Sequence, residues 1–425
     1  MKQLTLAAIG CGNRTQIYLD LAARQPERYR IVAAADPDPE RVEIIRRLSG
    51  NPDFIGFAMA DDILAQPRLA DVMIIGTQDN YHYAPCRQAL EQGYDILLEK
   101  PIAQTLAEVI DLEQQAARLG RRVLVCHVLR YTPFYHKVKA IVDSGALGEM
   151  VSLNAVEGVG DWHQAHSYVR GKWAVSEQAT PMIVAKSCHD MDIIAWLFDR
   201  PCHNLSSWGD LTYFTAANAP ADAPLRCTDG CLHAATCPYN AALYLTKHRH
   251  WLDFIYTNAA AASDDALRAW LTTSPWSRCV YRCDNTAVDH QVIAMRFQGG
   301  ATATFTMTAF GWGRDIEIFG TRARLWGGAS CLSHAGVDII VEEHATGERV
   351  SYTIPHAESG HGGGDSGLID ALYTEMTRPD TTTLRSSISV SVASHVMAFA
   401  AETARQTGQT INLTEFYNAI PQANT

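Results

Sequence analysis

The first 126 residues alternate short apolar runs with amphipathic ones, and a glycine-rich turn separates the first two. That order restricts the fold more than any other feature. Leu4–Ile9 reads as a buried strand, Gln16–Gln25 as a helix and Tyr29–Asp36 as a second strand, and Pro39 opens a helix to about Leu48. Asp71–Ile75, Asp95–Leu98 and Arg122–Cys126 read as further strands, with helices over Tyr83–Gln92 and Thr105–Leu119 between them. Short, wholly apolar strands joined by helices predict an α/β fold built on a doubly wound parallel sheet.

Where such a sheet binds a dinucleotide, one glycine makes the tight turn after the first strand. A second lets backbone N–H groups approach the pyrophosphate at a helix N-terminus. Gly10 and Gly12 occupy those positions, Asn13 and Arg14 follow, and Thr15 stands where a third small residue is usual. Asp36 ends the second strand, where an acid accepts from the ribose 2′-hydroxyl and repels a 2′-phosphate. No arginine follows directly (Pro37-Asp38), so NAD is expected over NADP. Thr77, Asn80 and His82, in the turn after the third strand, join the expected cofactor site, as do Glu99 and Lys100.

A chain of 425 residues has room for two or three domains, and 47% hydrophobic residues is a globular composition. The net charge of −11 argues against a nucleic-acid partner. Apolar runs such as Val72–Ile75 are strand-sized, far below the ~20 residues of a membrane span. The N-terminus lacks the pattern of a signal peptide. Eleven cysteines, an odd number with several inside apolar strands, indicate reduced thiols. A soluble, cytoplasmic protein is expected.

Glu99-Lys100-Pro101 after the strand at Asp95–Leu98 resembles a motif of the Gfo/Idh/MocA family of NAD(P)-dependent oxidoreductases. So do Asn80-Tyr81-His82, Arg130-Tyr131, Gly145-Ala146-Leu147-Gly148, His189-Asp190-Met191-Asp192 and Arg314 with Gly320-Thr321. The resemblance implies a Rossmann domain over residues 1–130. It also implies an α+β domain over 131–425 with a large open antiparallel sheet, through which a homo-oligomer, dimer or tetramer, would form. A sugar-like substrate would lie between the domains against the nicotinamide. The family's lysine falls on Lys100, next to Glu99, and its catalytic histidine on His189. Lys100, at the carboxyl end of a parallel strand, is placed to stabilise alkoxide character as hydride leaves carbon. His189 has a pKa range suited to accepting a carbinol proton. Many relatives carry Asp four residues before this His. Here that position is Ala185, with Lys186 beside it, so a second cation and an acidic sugar enter the reading.

Beyond Tyr131 the strands lengthen and alternate: Val151–Glu157, Leu205–Phe214, His290–Phe297, Ala301–Thr308 and Arg314–Phe319. The segment Asp161–Trp173 is rich in aromatic and polar groups, and His163, His166, Tyr168, Arg170 and Trp173 are its sugar-binding candidates. A Cys-rich insert spans about 220–285. Cys227, Cys231 and Cys237 have knuckle-like spacing for a structural zinc, with Cys279, Cys283 or His233 as fourth ligand. His361-Gly362-Gly363-Gly364-Asp365 introduces a helix, and Ser386–Gln406 reads as a long helix able to pack back on the Rossmann domain.

Two activities fit these residues. One is NAD-dependent oxidation or reduction of a ring hydroxyl. The other is an NAD-dependent glycosidase, in which transient oxidation allows elimination, water addition and re-reduction. Lys100 and His189 together argue against a non-enzymatic NAD-binding protein.

Overall fold

In the computed structural model, which describes residues 2–355, 360–378 and 385–421, two sheets organise the chain. The first has six parallel strands: β1 (Leu4–Ile9), β2 (Tyr29–Ala35), β3 (Ile55–Phe57), β4 (Val72–Ile75), β5 (Asp95–Leu98) and β6 (Val123–Val125). Their order is β3-β2-β1-β4-β5-β6, the doubly wound arrangement expected from the strand–helix alternation. β3 has no counterpart in the sequence reading. It is three residues long, mostly exposed and contains a glycine, so it lacks the apolar run that marks its neighbours.

Helix boundaries follow local chemistry. Asp38 caps helix Pro39–Ser49 through the Glu40 N–H, with Pro39 in the first turn and Gly50 closing the end in a left-handed conformation. Thr105 and Glu108 form a reciprocal capping box on helix Leu106–Leu119.

The second sheet contains β7 (Met150–Val159), β8 (Cys202–Asp210), β9 (His290–Phe297), β10 (Thr302–Thr308), β11 (Trp312–Gly320), β12 (Ala323–Gly328), β13 (Ile339–Glu343), β14 (Arg349–Tyr352) and β15 (Ile411–Asn412). It runs β14-β13-β12-β11-β7-β10-β9-β8-β15. The pairs are antiparallel as expected except β7–β10, which are parallel. Leu153, Ile293, Phe305, Ile316 and Leu325 bury one face. Helices Cys188–Phe198 and Ile388–Thr407 lie against that side.

The C-terminal stretch returns to the first sheet. Helix Gly364–Thr377 packs against helix Asn13–Ala23, and Leu368, Ile369 and Leu372 join the apolar cluster of β1, β2 and β4. Val125 N–H donates to Ser386 O, which leads helix Ile388–Thr407 past the sheet edge. The carboxyl ends of β1, β4 and β5 thus meet groups from three later segments. No helix among the described residues is long and apolar enough to cross a membrane.

Candidate active site

The cofactor side is built from backbone. Gly10 takes φ +83°, and a side chain there would lie 2.7 Å from Thr77 N, so the two loops touch. Gly12 precedes helix Asn13–Ala23 in extended conformation without any side-chain cap, and a Cβ there would meet nothing within 4 Å. Open space above an uncapped helix N-terminus suits a pyrophosphate. Asp36 completes the fit: its Oδ2 accepts from Cys11 N–H at 2.7 Å and its Oδ1 from Asp38 N–H at 2.9 Å. The carboxylate is thus anchored at the strand end beside the turn. Residues of the later insert reach this edge, where Thr257 Oγ1 donates to Asp38 Oδ2 at 2.8 Å and Asn258 Nδ2 donates to Glu40.

Thr77 Oγ1 donates to Tyr81 O, and Asn80 is exposed above the turn. His82 is buried with Nδ1 2.7 Å from Pro101 O and Nε2 3.1 Å from Thr77 O, binding the turn to the segment after Lys100. Arg14 does not point toward the Gly12 opening. Its guanidinium is spent on Asp365, Glu99 and Tyr18, so it ties the Rossmann domain to the C-terminal helix.

Glu99 accepts from Tyr18 O–H at 2.6 Å and from Lys100 N–H at 2.9 Å. Burial works against its charge, yet Arg14, Lys100 and these bonds hold its pKa below the usual carboxylate range. Lys100 follows at the end of β5, and its Nζ donates to Ala185 O at 2.7 Å. The position where relatives carry Asp therefore supplies a backbone acceptor for the lysine.

His189 is buried at the start of helix Cys188–Phe198, with no hydrogen-bond partner for its Nδ1. Burial first, then the charges of Lys100, His127, Arg314 and His361, hold its pKa well below the ordinary histidine value. This favours the neutral ring, and because Nδ1 is wholly enclosed, the edge left to meet a substrate is Nε2. Lys186 Nζ pairs with Glu157 Oε1 at 3.2 Å. Arg314 Nε links Glu157 at 2.8 Å to Asp190 at 2.7 Å. Burial raises the Asp190 pKa, while Arg314 and Lys186 hold Glu157 low against its own burial.

Residues Gln164–Val169 form a π-type turn, which separates the five candidates of this segment. His163 and Tyr168, five apart, share one face with ring centroids 6.0 Å apart. Burial lowers the His163 pKa, followed by the charges of Lys186, His166 and Lys100, and its ring also lies 4.8 Å from that of Trp251 in the insert. Trp173 Nε1 donates to Asp79 across the domain junction. The other face turns into the insert. His166 Nδ1 lies 2.6 Å from Tyr244 Oη, and Arg170 donates to Arg278 O, Tyr239 O and Cys227 Sγ. Arg170 therefore braces the insert through these bonds, while its Nη1 has no hydrogen-bond partner.

All eleven cysteines are free thiols. Among the described residues no group of three or more His, Cys, Asp or Glu side chains is arranged to hold a metal ion, so the expected zinc site at Cys227, Cys231, Cys237 and Cys279 finds no support. His233 instead sits 2.7 Å from Asp222.

Several site groups escaped the sequence reading. His361 takes φ +52°, its ring centroid lies 6.4 Å from that of His189, and its Nδ1 is 3.3 Å from Asp365 Oδ2. The His-Gly-Gly-Gly-Asp run was its only visible signal. His395 accepts from Ile102 N–H at 3.0 Å and lies near Ser391 O, so it holds the segment just after Lys100-Pro101.

Two family models match this chain: the NAD-binding Rossmann fold of the oxidoreductase family over residues 4–127, and its C-terminal α/β domain over 139–413. The protein belongs to the Gfo/Idh/MocA oxidoreductase family. It is an NAD-binding member of that family. It is similar to YteT of Bacillus subtilis, named as a candidate oxidoreductase, at 24% identity over 88% of this chain and 89% of that one. Inositol 2-dehydrogenase of Corynebacterium glutamicum is 25% identical over 46% of this chain and 54% of its own length, so this chain matches about half of that protein. Scyllo-inositol dehydrogenase of Lactobacillus casei, solved with NAD(H) and scyllo-inositol, superposes with a TM-score of 0.65 at 15% identity, covering 97% of this chain and 100% of that one. In the Gfo/Idh/MocA fold, the Lys100 and His189 segments meet where the two domains face each other.

Proposed function

We propose that the protein moves a hydride between NAD and a ring carbon bearing a hydroxyl in a sugar or cyclic polyol. The observation that carries this is the hydrogen bond from Lys100 Nζ to Ala185 O, which brings the lysine at the end of β5 to the segment that leads into buried His189. NAD, when bound, supplies the hydride acceptor; Gly10, Gly12 and Asp36 would hold it. Lys100 donates a hydrogen bond to the substrate oxygen and stabilises the alkoxide that develops there. His189 takes the hydroxyl proton. Lys186, His163 and Tyr168 line the approach and orient the ring. Incubation with NAD and a panel of cyclic polyols and neutral and acidic sugars, followed by NADH absorbance, tests the reading. No sugar-dependent absorbance change with any of them would overturn it.

A redox-neutral glycosidase is the second reading. Its support is the contact of Thr257 and Asn258 with Asp38 and Glu40 beside the ribose acid, since a cofactor retained through turnover suits chemistry that returns its hydride. Release of sugar from a glycoside without net NADH would select it. A homo-oligomer through the outer sheet face also belongs to the proposal: Trp208, Val292, Thr306 and Val156 align across β8, β9, β10 and β7, and the three apolar ones are exposed. Sedimentation velocity measures it.

A further inference from the structure

Glu157 on β7 and Arg314 on β11 stand directly opposite each other and carry the network that holds Lys186 and Asp190. Two residues further along the same strands, Val159 stands opposite Trp312. Residues two apart on a strand share a face, so Trp312 lies on the face of Arg314, displaced along it by about 7 Å. A groove of ≈ 750 Å³ opens there, lined by Trp312, Phe310, Tyr213, Asp161, Thr212 and Asn218 among others.

The indole has a prepared seat. Gly160 takes φ +90°, and a side chain there would lie 3.1 Å from the Trp312 ring. Only a residue without Cβ leaves room for the indole to lie against the backbone at this point. With that side packed, Trp312 is still 72% exposed, and neighbouring Phe310 is 53% exposed. Large aromatic surface left in water at a concave site is a mark of ligand binding. The opposite wall is braced: Thr212 N–H and Tyr213 N–H both donate to Asp289, and Asn218 Nδ2 donates to Thr212 O and Tyr213 O. Asp161 adds a carboxylate beside the aromatic rings, and among the described residues no lysine or arginine lines the groove.

We propose that this groove is a subsite for a second, neutral sugar ring, joined to the ring that reacts at Lys100 and His189. An aromatic face stacks on the C–H face of a pyranose, and a carboxylate accepts from its hydroxyls. With the Asp161 carboxylate and no Lys or Arg among the described lining residues, the groove favours a neutral unit. Arg314, about 7 Å along the strand from Trp312, pairs with Asp190 next to His189 and shares Glu157 with Lys186, which sets the groove beside the proposed reacting site. The protein's ligand is then a disaccharide or a longer glycoside. This rests on the ring-hydroxyl reading above.

The test uses the full chain loaded with NADH. Methyl glycosides of glucose, galactose, mannose and rhamnose are titrated beside the corresponding disaccharides, on the wild type and on Trp312→Ala, Trp312→Phe and Asp161→Asn. At least one disaccharide is expected to bind tenfold or more tightly than its methyl glycoside. Trp312→Ala should abolish that advantage and Trp312→Phe retain part of it, while NADH and methyl glycoside affinities stay within twofold. If methyl glycosides bind but disaccharides gain nothing, or Trp312→Ala leaves the gain intact, the subsite alone is overturned. If Trp312→Ala instead lowers the sedimentation coefficient, the patch is an interface between copies and the proposal is wrong. If no sugar binds at all while NADH does, the ring-hydroxyl reading fails and takes the subsite with it.

Discussion

Lys100 Nζ donates to the carbonyl oxygen of Ala185 at 2.7 Å, joining the end of β5 to the segment that carries His189. One hydrogen bond therefore sets Lys100, the proposed catalytic lysine, against the segment that carries His189. Lys100→Ala should lower kcat by about 10²–10³-fold, the loss typical of one transition-state donor. NADH affinity should stay within a few-fold, because the Gly12 opening and Asp36 do not depend on this side chain. Activity near wild type would remove Lys100 from the chemistry.

Asp36 is the residue proposed to decide the nucleotide. Both its oxygens already accept backbone N–H bonds, which holds the carboxylate in place for a ribose hydroxyl. Asp36→Ala should weaken NADH by tenfold or more and leave NADPH unchanged or tighter. Fluorescence titration of both nucleotides measures it, and a wild type that prefers NADPH would refute the assignment.

The insert should govern how fast the cofactor leaves. Thr257→Val with Asn258→Ala removes both bonds to the edge beside Asp36. The NADH dissociation rate should rise several-fold in stopped-flow displacement, with folding and stability preserved. An unchanged rate would mean that the insert contact plays no part in retention.

Buried histidines should make the fold acid-sensitive well above the carboxylate range. Burial lowers the His127 pKa to about 4 and that of His395 to about 3. Between these values and the ordinary 6.5 the unfolded chain binds protons that the folded chain refuses, so stability falls as pH drops from 6.5 toward 4. His127 alone accounts for a loss on the order of 3 kcal/mol over that range. Urea unfolding at pH 7, 5.5 and 4.5 should show the decline, and His395→Gln should flatten it. A flat profile to pH 4.5 would show that these rings are protonated in the native state.

The Rossmann half was legible because its information is local. Apolar β1, β2, β4 and β5 contrast with their turns, and Gly10, Asp36 and Glu99-Lys100-Pro101 each announce their chemistry within a few residues. The second half was less so. β12 reads Ala-Arg-Leu-Trp-Gly-Gly, with Arg324 and Trp326 on the outer face, and nothing near it signals pairing. The parallel contact of β7 with β10 joins residues about 150 apart. In the segment Asp161–Trp173 the residue types were informative, but a π-type turn decided which faced the cleft, and that sent Arg170 into the insert. His361 depends on a positive φ that no residue pattern encodes. The cysteine spacing allowed a metal knuckle, whereas the arrangement of the described thiols gives it no support.

Lys186 poses the sharpest remaining choice. Beside Ala185 and near His189 it suggested a cation for an acidic substrate, but Glu157 answers its charge at 3.2 Å and also binds Arg314. A pair this buried is costly to break from one side, by about 3–5 kcal/mol, because the remaining charge has no solvent. Glu157→Gln should therefore destabilise strongly, stranding Lys186 while Arg314 keeps only Asp190, whereas Lys186→Met, which leaves Glu157 with Arg314, should cost much less. With its charge already neutralised, Lys186 adds little field toward a substrate carboxylate. Lys186→Met should thus raise KM for an acidic sugar and for its neutral analogue by similar factors. A rise confined to the acidic sugar would show that Lys186 meets the anion directly, and that Glu157 only holds its place until substrate arrives.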